Sequence, residues 1–416
     1  MLIWRALLLA ALVVALPASA RADEARMRAF VQEVLTRNPT LRARAQVRES
    51  LRLRAEAEGY WPDPELSVMV DQVPERMDGE MPMVRYQLNQ MIMWPGKLGL
   101  MESAARQQVE GAVADVDVRR LELVREAQQA YLMLAQNRGY RDVNVASRRL
   151  IETVTRATIA RYGAGLGGHH EVARAEVERS ALELEAVTLE GERVSLVAML
   201  NVLRDRATDA PFEDSLPFDT SPATANVRFA ELVRLAASRR PELKKMRAMV
   251  REDAAMAELA RRDRYPNFMT GAWYNQMIGG PDTVGVMVGA NIPLFSAPQQ
   301  GRRARASDLS AKSRESEVSG MQSMIHYQVA DALRRFQTAT RGLELVTKVA
   351  KPQAEQSFTS AISSYSTGNA DLVFVLDSWR ALQRLEQARV DALVAQRMAL
   401  VDLEWAAGGS LQGGSP

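Results

Sequence analysis

The sequence predicts a mostly α-helical chain with a membrane β part, assembled from duplicated long-helix hairpins and two β-hairpins. Three observations predict it. Met83 to Met93 alternates apolar Val84, Tyr86 and Leu88 with polar Arg85, Gln87 and Asn89, so a strand there has one greasy and one polar face. Lys97 to Tyr162 contains no proline and is rich in Ala, Leu, Glu, Arg and Gln, strong helix formers. The same punctuation then recurs about 203 residues later, the near-constant spacing of a duplicated unit.

In chain order, Arg5, an apolar run from Ala6 to Leu16 and Ala18-Ser19-Ala20 read as a secretory signal over residues 1–22. The run falls short of the ~20 apolar residues that a spanning helix needs. The first repeat covers 23–210. Ala25 to Thr36 reads as a short helix broken by Asn38-Pro39, and Leu41 to Gly59 as a second. Tyr60-Trp61-Pro62-Asp63-Pro64 cannot be helical, and its aromatics suit either a membrane interface or a core cap. Strands follow at about 65–72 and 83–93, with a Pro/Gly loop between them. Their lengths approach the 9–11 residues of a tilted membrane strand.

The long helix expected over about 97–162 would reach ~100 Å if unbroken, with Gly139 as a candidate irregularity. Tyr162-Gly163-Ala164-Gly165-Leu166-Gly167-Gly168 is a turn, and a helix returns over about 171–204. Residues 211–225 form a linker. The second repeat, 226–410, has strands at about 267–276 and 283–293 and long helices at about 298–365 and 371–407. Residues 411–416 are a tail. Arg240-Pro241 answers Asn38-Pro39, Tyr265-Pro266 answers Trp61-Pro62, Pro298 answers Pro95, Gly342 answers Gly139, and Tyr365…Gly368 answers Tyr162…Gly165.

Composition narrows the function. The formal net charge is +2 with no basic block, which argues against a nucleic-acid binder. There is no cysteine, so neither disulfides nor a cysteine-linked lipid can hold the chain. No phosphate loop, zinc motif or nucleophile elbow is present, and no cofactor or enzymatic activity is expected. Four strands cannot close a membrane barrel, and open edges are not tolerated in lipid, so other copies must complete the sheet. A trimeric barrel with a coiled-coil surface structure would also use such strands, but would not need two equal hairpins.

With these motifs in place, the chain resembles the TolC-like outer-membrane factors. The resemblance rests on Asn38-Pro39-x-Leu41, Pro62-Asp63-Pro64-Glu65-Leu66, Gln90…Trp94-Pro95-Gly96-Lys97, Arg161-Tyr162-x-x-Gly165 and Tyr365-x-x-Gly368…Val375-Leu376-Asp377. It implies a homotrimer forming a 12-stranded outer-membrane β-barrel continuous with a periplasmic α-helical barrel. It also implies a periplasmic adaptor protein, an inner-membrane pump of the RND type, outer-membrane lipid around the barrel, and a passive duct that opens like an iris at its tip. The stretch from Asp71 to Lys97 is most similar to the heavy-metal branch. Drug-efflux and type I secretion ducts of the same family are the alternatives.

The resemblance also assigns candidate residues. Asp377 falls where the family has an acid facing the closed tip, whereas Phe374 stands where it often has a second acid. Glu171 and Asp371 are acidic positions at the two tips, expected to pair with Arg161 or Arg174. Tyr162, Gly165, Tyr365 and Gly368 mark the adaptor-contacting turns, and Trp94, Pro95, Gly96 and Lys97 the barrel-to-tube joint. His169 and His170 carry metal-binding imidazoles, but adjacent histidines lack ligand-pair spacing on a helix. His326 lies in a helical pattern. Met69, Met77, Met81, Met83, Met91 and Met93 cluster around the first hairpin. Thioethers suit soft Cu(I), but methionine also simply fills apolar space, and packing is the favoured reading of the cluster.

Overall fold

The structure, a computed structural model, describes residues 18–71, 83–212, 228–277, 279–292 and 297–411. The signal segment up to residue 17, the 72–82 loop with Met77 and Met81, most of the linker and the last five residues lie outside the described residues. Helices α1 (Ala18–Arg37) and α2 (Pro39–Ala57) precede strands β1 (Glu65–Asp71) and β2 (Met83–Ile92), then helices α3 (Lys97–Gly163) and α4 (His169–Leu203). Next come α5 (Phe229–Arg239), α6 (Pro241–Arg262), β3 (Asn267–Met277), β4 (Thr283–Asn291), α7 (Ala297–Leu345), a π turn (Val346–Ala350), α8 (Lys351–Ser366) and α9 (Leu372–Ala407). The chain divides into a strand-bearing unit, Thr40–Arg119 with Ala237–His326, and a helical unit holding the described residues of Met1–Pro39, Arg120–Ala236 and Tyr327–Pro416.

In the strand-bearing unit the four strands form one antiparallel sheet in the order β1-β2-β3-β4. Leu66 lies opposite Leu88, Tyr86 opposite Tyr274, and Ala272 opposite Val286. In all three pairings even-numbered residues meet even-numbered ones, so the sheet has one even and one odd face. The even face carries Leu66, Val68, Val70, Val84, Leu88, Val284, Val286 and Val288, with Tyr86 and Tyr274 stacked at 6.2 Å. The odd face carries a polar network. Arg85 Nε donates to Asn275 Oδ1 at 2.9 Å, Gln87 Nε2 to Asn89 Oδ1 at 2.8 Å, and Asn275 Nδ2 to Thr283 Oγ1 at 3.0 Å. Below the sheet, Asp115 on α3 accepts from Arg44 of α2 at 2.7 Å and from Lys245 of α6 at 2.5 Å. These two cations hold its carboxyl below the usual range against the opposing effect of burial.

The helical unit is built on a seam of seven-residue period. Leu123, Ala130, Asn137, Asn144, Ile151 and Thr158 are all buried along α3, as are Ala175, Leu182 and Leu189 along α4. Three seam positions are polar: Thr158 donates to the Val154 carbonyl of its own helix, and the two asparagines reach α4. Asn137 Nδ2 donates to the Leu189 carbonyl at 2.9 Å and Asn144 Nδ2 to the Leu182 carbonyl at 3.0 Å, each a heptad from the other on both helices. A register slip would strand two buried amides, so these asparagines fix the pairing of α3 with α4. Glu185 joins a third helix by accepting from Asn144 at 2.8 Å and from Gln387 of α9 at 2.9 Å. Gly139 is not an irregularity. Helix α3 runs straight through it, and a side chain there would come within 2.7 Å of Val390 Cγ1 on α9.

Near the ends of α1 and α4, Glu33 accepts from Arg206 at 2.6 Å and Arg204 at 3.2 Å. Burial opposes its ionisation, yet the two guanidiniums hold its carboxyl below the usual range. Arg204 also donates to the fully buried Asn201.

The expected second long helix, 298–365, is not continuous. The π turn interrupts it, and Pro352 follows at the start of α8. Before the turn, buried positions match those of α3 at a spacing of 202: Leu123 with Ile325, Ala127 with Val329, Ala130 with Ala332, Leu134 with Phe336. After it the spacing is 203: Ile151 with Ala354, Thr155 with Phe358, Thr158 with Ala361. The second repeat thus carries one extra residue, and the π turn absorbs it so that the seam stays in phase. The Lys351 N–H reaches the Val346 carbonyl, an i→i+5 bond. Pro352, which lacks a donor and would crowd the carbonyl four residues back, is tolerated where the ladder is already widened.

Deleting Thr347 together with Pro352→Ala should leave an unbroken helix with its seam in phase, and a thermal midpoint within about 4 °C of the parent. Deleting Val145 from α3 rotates every later seam residue by about 100° and should abolish cooperative unfolding by circular dichroism.

Candidate functional site: the paired helix turns and the strand-to-helix joint

Both helical hairpins reverse through the same turn. At the end of α3, Gly165 has φ +71° and the Leu166 N–H reaches the Arg161 carbonyl at 2.8 Å. At the end of α8, Gly368 has φ +81° and the Asn369 N–H reaches the Ser364 carbonyl at 2.9 Å. The i→i+5 bond around a left-handed residue is the Schellman cap, and glycine takes that conformation without a Cβ penalty. Helix α9 starts at Asp371, whose Oδ1 accepts from the Val373 N–H at 3.2 Å. Asp371 therefore serves as an N-cap rather than as the arginine partner expected of it.

The two turns are joined through Tyr365, which is fully buried among Ile151, Phe358, Leu372, Leu376 and Trp379. Its hydroxyl donates to Glu171 Oε2 at 2.8 Å. Arg161 lies 4.6 Å from its ring centroid and donates to its carbonyl at 2.6 Å and to that of Leu166 at 3.0 Å. Burial first, and then the Glu171 carboxylate, push the Tyr365 hydroxyl above the usual phenol range, although Thr158 and Arg161 oppose this. Glu171 was expected on Arg161 or Arg174. Its partner is the tyrosine between it and Arg161, while Arg174 is exposed.

One turn further along α9, Phe374 is 54% exposed and the Asp377 side chain 64%. Asp377 has its own cation, Arg380 Nη1, at 3.4 Å, and Arg380 also donates to Glu178 of α4. Tyr162 is half exposed, with the His169 ring 5.7 Å away; His170 is exposed. Among the described residues no group of three His, Asp or Glu side chains is placed to hold a metal ion.

The joint between strand and long helix is a clasp. Trp94 stacks on Tyr265 at 4.9 Å and 12°, and its backbone N–H donates to Asn267 Oδ1 at 3.1 Å. Gly96 has φ +84°, and a side chain there would collide with Arg262. Lys97 is 5% exposed; its ammonium donates to the Tyr265 carbonyl at 3.0 Å and Asn267 Oδ1 at 3.1 Å, with Asp263 at 3.5 Å. A buried lysine needs such a set of oxygens. Asn267, Asp263, Glu185 and Arg380 had no role in the sequence reading, and Tyr265 figured there only as the repeat counterpart of Trp61. Only Asn267, directly after Tyr265-Pro266, had a local signal. Tyr60 and Trp61, the counterparts of Arg264 and Tyr265, are exposed.

Tyr365→Phe should keep the ring contact with Arg161 and remove the donor to Glu171. The expected loss is about 1–3 kcal/mol in thermal unfolding, with faster proteolysis at both turns.

A sequence profile for "Outer membrane efflux protein" matches residues 30–203 and 232–409, one block in each half of the chain. No curated protein is matched. Among solved structures, the chain is similar to the outer membrane protein VceC from Vibrio cholerae, at 20% identity over 93% of this chain and 97% of that one, with TM-score 0.79. It is also similar to CusC, at 16% identity over 96% of both chains and TM-score 0.80. The open-state MtrE outer membrane channel of Neisseria gonorrhoeae is a third, at 17% identity over 92% and 89% and TM-score 0.76. These likenesses show the fold, long helices with two β-hairpins, and the profile shows the family. The chain belongs to the outer membrane efflux proteins, a family of channels and not of enzymes.

Proposed function

We propose that three copies of the chain form the outer-membrane exit duct of a tripartite efflux system and that its cargo is heavy-metal cations. The observation that carries the reading is the four-stranded sheet, apolar on its even face and polar on its odd face, with β1 and β4 at its edges. In lipid an open edge leaves backbone groups unpaired. Three copies joined edge to edge remove every edge, turn the even faces to lipid and enclose a wet lumen lined by the odd faces. The long helices continue the lumen into the periplasm. The Trp94-Pro95-Gly96-Lys97 clasp is the joint between the two parts, and the turns around Tyr162, Gly165, Tyr365 and Gly368 face the adaptor and pump. The signal segment directs export and is removed.

The closed tip is formed by Phe374 and Asp377, held by Arg161, Glu171 and Tyr365. Three Asp377 carboxylates around one axis attract cations, and three Phe374 rings exclude water. The duct is passive, because none of these groups can supply energy. Metal cargo is favoured by the methionines of the strands. A drug-efflux duct of the same family is the other outcome of the test.

Purified in detergent, the protein should run as a trimer and conduct ions in planar bilayers; a monomer without pores overturns the architecture. Deleting the gene should lower tolerance to copper, silver, cobalt or zinc. Unchanged metal tolerance with new sensitivity to drugs or bile salts overturns the metal cargo. Asp377→Ala should increase leak or weaken cation block of single channels, and unaltered currents would remove it from the gate.

A further inference from the structure

Every methionine within the four strands lies on the odd, polar face: Met69, Met83, Met91, Met269, Met277 and Met287. None lies on the even face, where Leu, Val, Tyr, Ile and Phe serve instead. Methionine used only to fill apolar space belongs on the apolar face. The register groups these six further. Met83 stands directly opposite Met277, and Met69, opposite Arg85, is the diagonal neighbour of Met83. Met91 stands directly opposite Met269, and Met287, opposite Gly271, is the diagonal neighbour of Met269. Directly opposed side chains on one face have Cβ atoms about 5 Å apart, and diagonal ones remain within reach of long side chains. Each group of three spans three adjacent strands, and the Arg85–Asn275 hydrogen bond lies between the groups.

We propose that the triads Met69–Met83–Met277 and Met91–Met269–Met287 are binding sites for soft monovalent cations of the Cu(I) class, held by thioether sulfur. Three thioethers suit a soft, low-coordinate ion and discriminate against hard divalent cations, which want oxygen. The sulfurs are uncharged, so each site binds weakly enough to release its ion, as a conducting pathway requires. The chain has no cysteine, and its three histidines, His169, His170 and His326, lie outside the sheet. Thioethers are therefore the soft donors that the sheet offers. The proposal deepens the metal-duct reading and rests on the odd face being the lumen.

The test uses the full-length protein in detergent with Ag(I) as a redox-inert probe. Equilibrium dialysis should show Ag(I) bound to the parent, about half retained when one triad is changed to leucine, and nearly all lost when both are. Met133→Leu, Met199→Leu and Met256→Leu together should bind as the parent does. Leucine keeps the volume, so trimer size and conductance should be unchanged. X-ray absorption of the Ag(I)-loaded parent, which needs no variant, should show sulfur neighbours alone. Nitrogen or oxygen neighbours, or undiminished binding by the sixfold variant, overturn the proposal. Ag(I) binding through these methionines in a protein whose deletion leaves metal tolerance intact would keep the sites and discard the metal cargo. Metal sensitivity on deletion, with silver binding indifferent to the six methionines, would keep the cargo and discard the sites.

Discussion

The seven-residue seam along α3 is the constraint on which the helical unit depends. An α-helix has 3.6 residues per turn, so a seam of strict seven-residue period must wind slowly and keep a partner against it throughout. Leu123 to Thr158 keeps that period without a break, and α4 and α9 supply the partners. Asn137 and Asn144 forgo apolar contact at two seam positions but specify which turn of α4 faces which turn of α3. Glu185 then ties the pair to α9, so register set between two helices reaches a third.

The π turn shows how strict the constraint is. One extra residue in a long helix would rotate everything after it by about 100°, exposing Ala354, Phe358, Ala361 and Tyr365. The chain instead widens one turn and recovers phase within five residues. The result is an asymmetry between two otherwise matching hairpins: α3 is one continuous helix, whereas α7 and α8 are joined at a weakened point. Tyr365, which bridges the two tips, lies downstream of it. Its burial, and hence its reach to Glu171, depends on the phase correction made some fifteen residues earlier.

Much of this was legible in the sequence because it is written locally. Proline placed the breaks at Asn38-Pro39 and Arg240-Pro241, alternation placed four strands to within a residue or two, and glycine placed both left-handed turns. What was not legible is non-local. The partner of Lys97 is a loop about 170 residues away, and that of Glu171 is a tyrosine 194 residues away, so no spacing rule reaches either. Asp371 and Glu171 looked alike as acids at tips, yet one caps a helix and the other accepts from a phenol. Composition cannot tell these roles apart, because a carboxylate accepts equally well from an amide and from a hydroxyl. The π turn was hidden for another reason. Its residues, Val346–Ala350, contain neither glycine nor proline to mark a break, and the change of burial spacing from 202 to 203 is what reveals the extra residue.

The surroundings of Asp377 decide what a ring of such residues can do. Like charges brought together repel one another. Asp377 has Arg380 at 3.4 Å within its own helix, and in the proposed ring this cation would offset repulsion locally. Arg380 is in turn held by Glu178 on α4, whose side chain is 14% exposed, which fixes the guanidinium more firmly than a lone surface pair could. In the proposed gate, the apolar Phe374, one turn nearer the end of α9, is the group suited to exclude water, and Asp377 the group suited to attract cations. Because Arg380 contacts both Asp377 on α9 and Glu178 on α4, the proposed gate would couple its charge to the packing of one hairpin on the other.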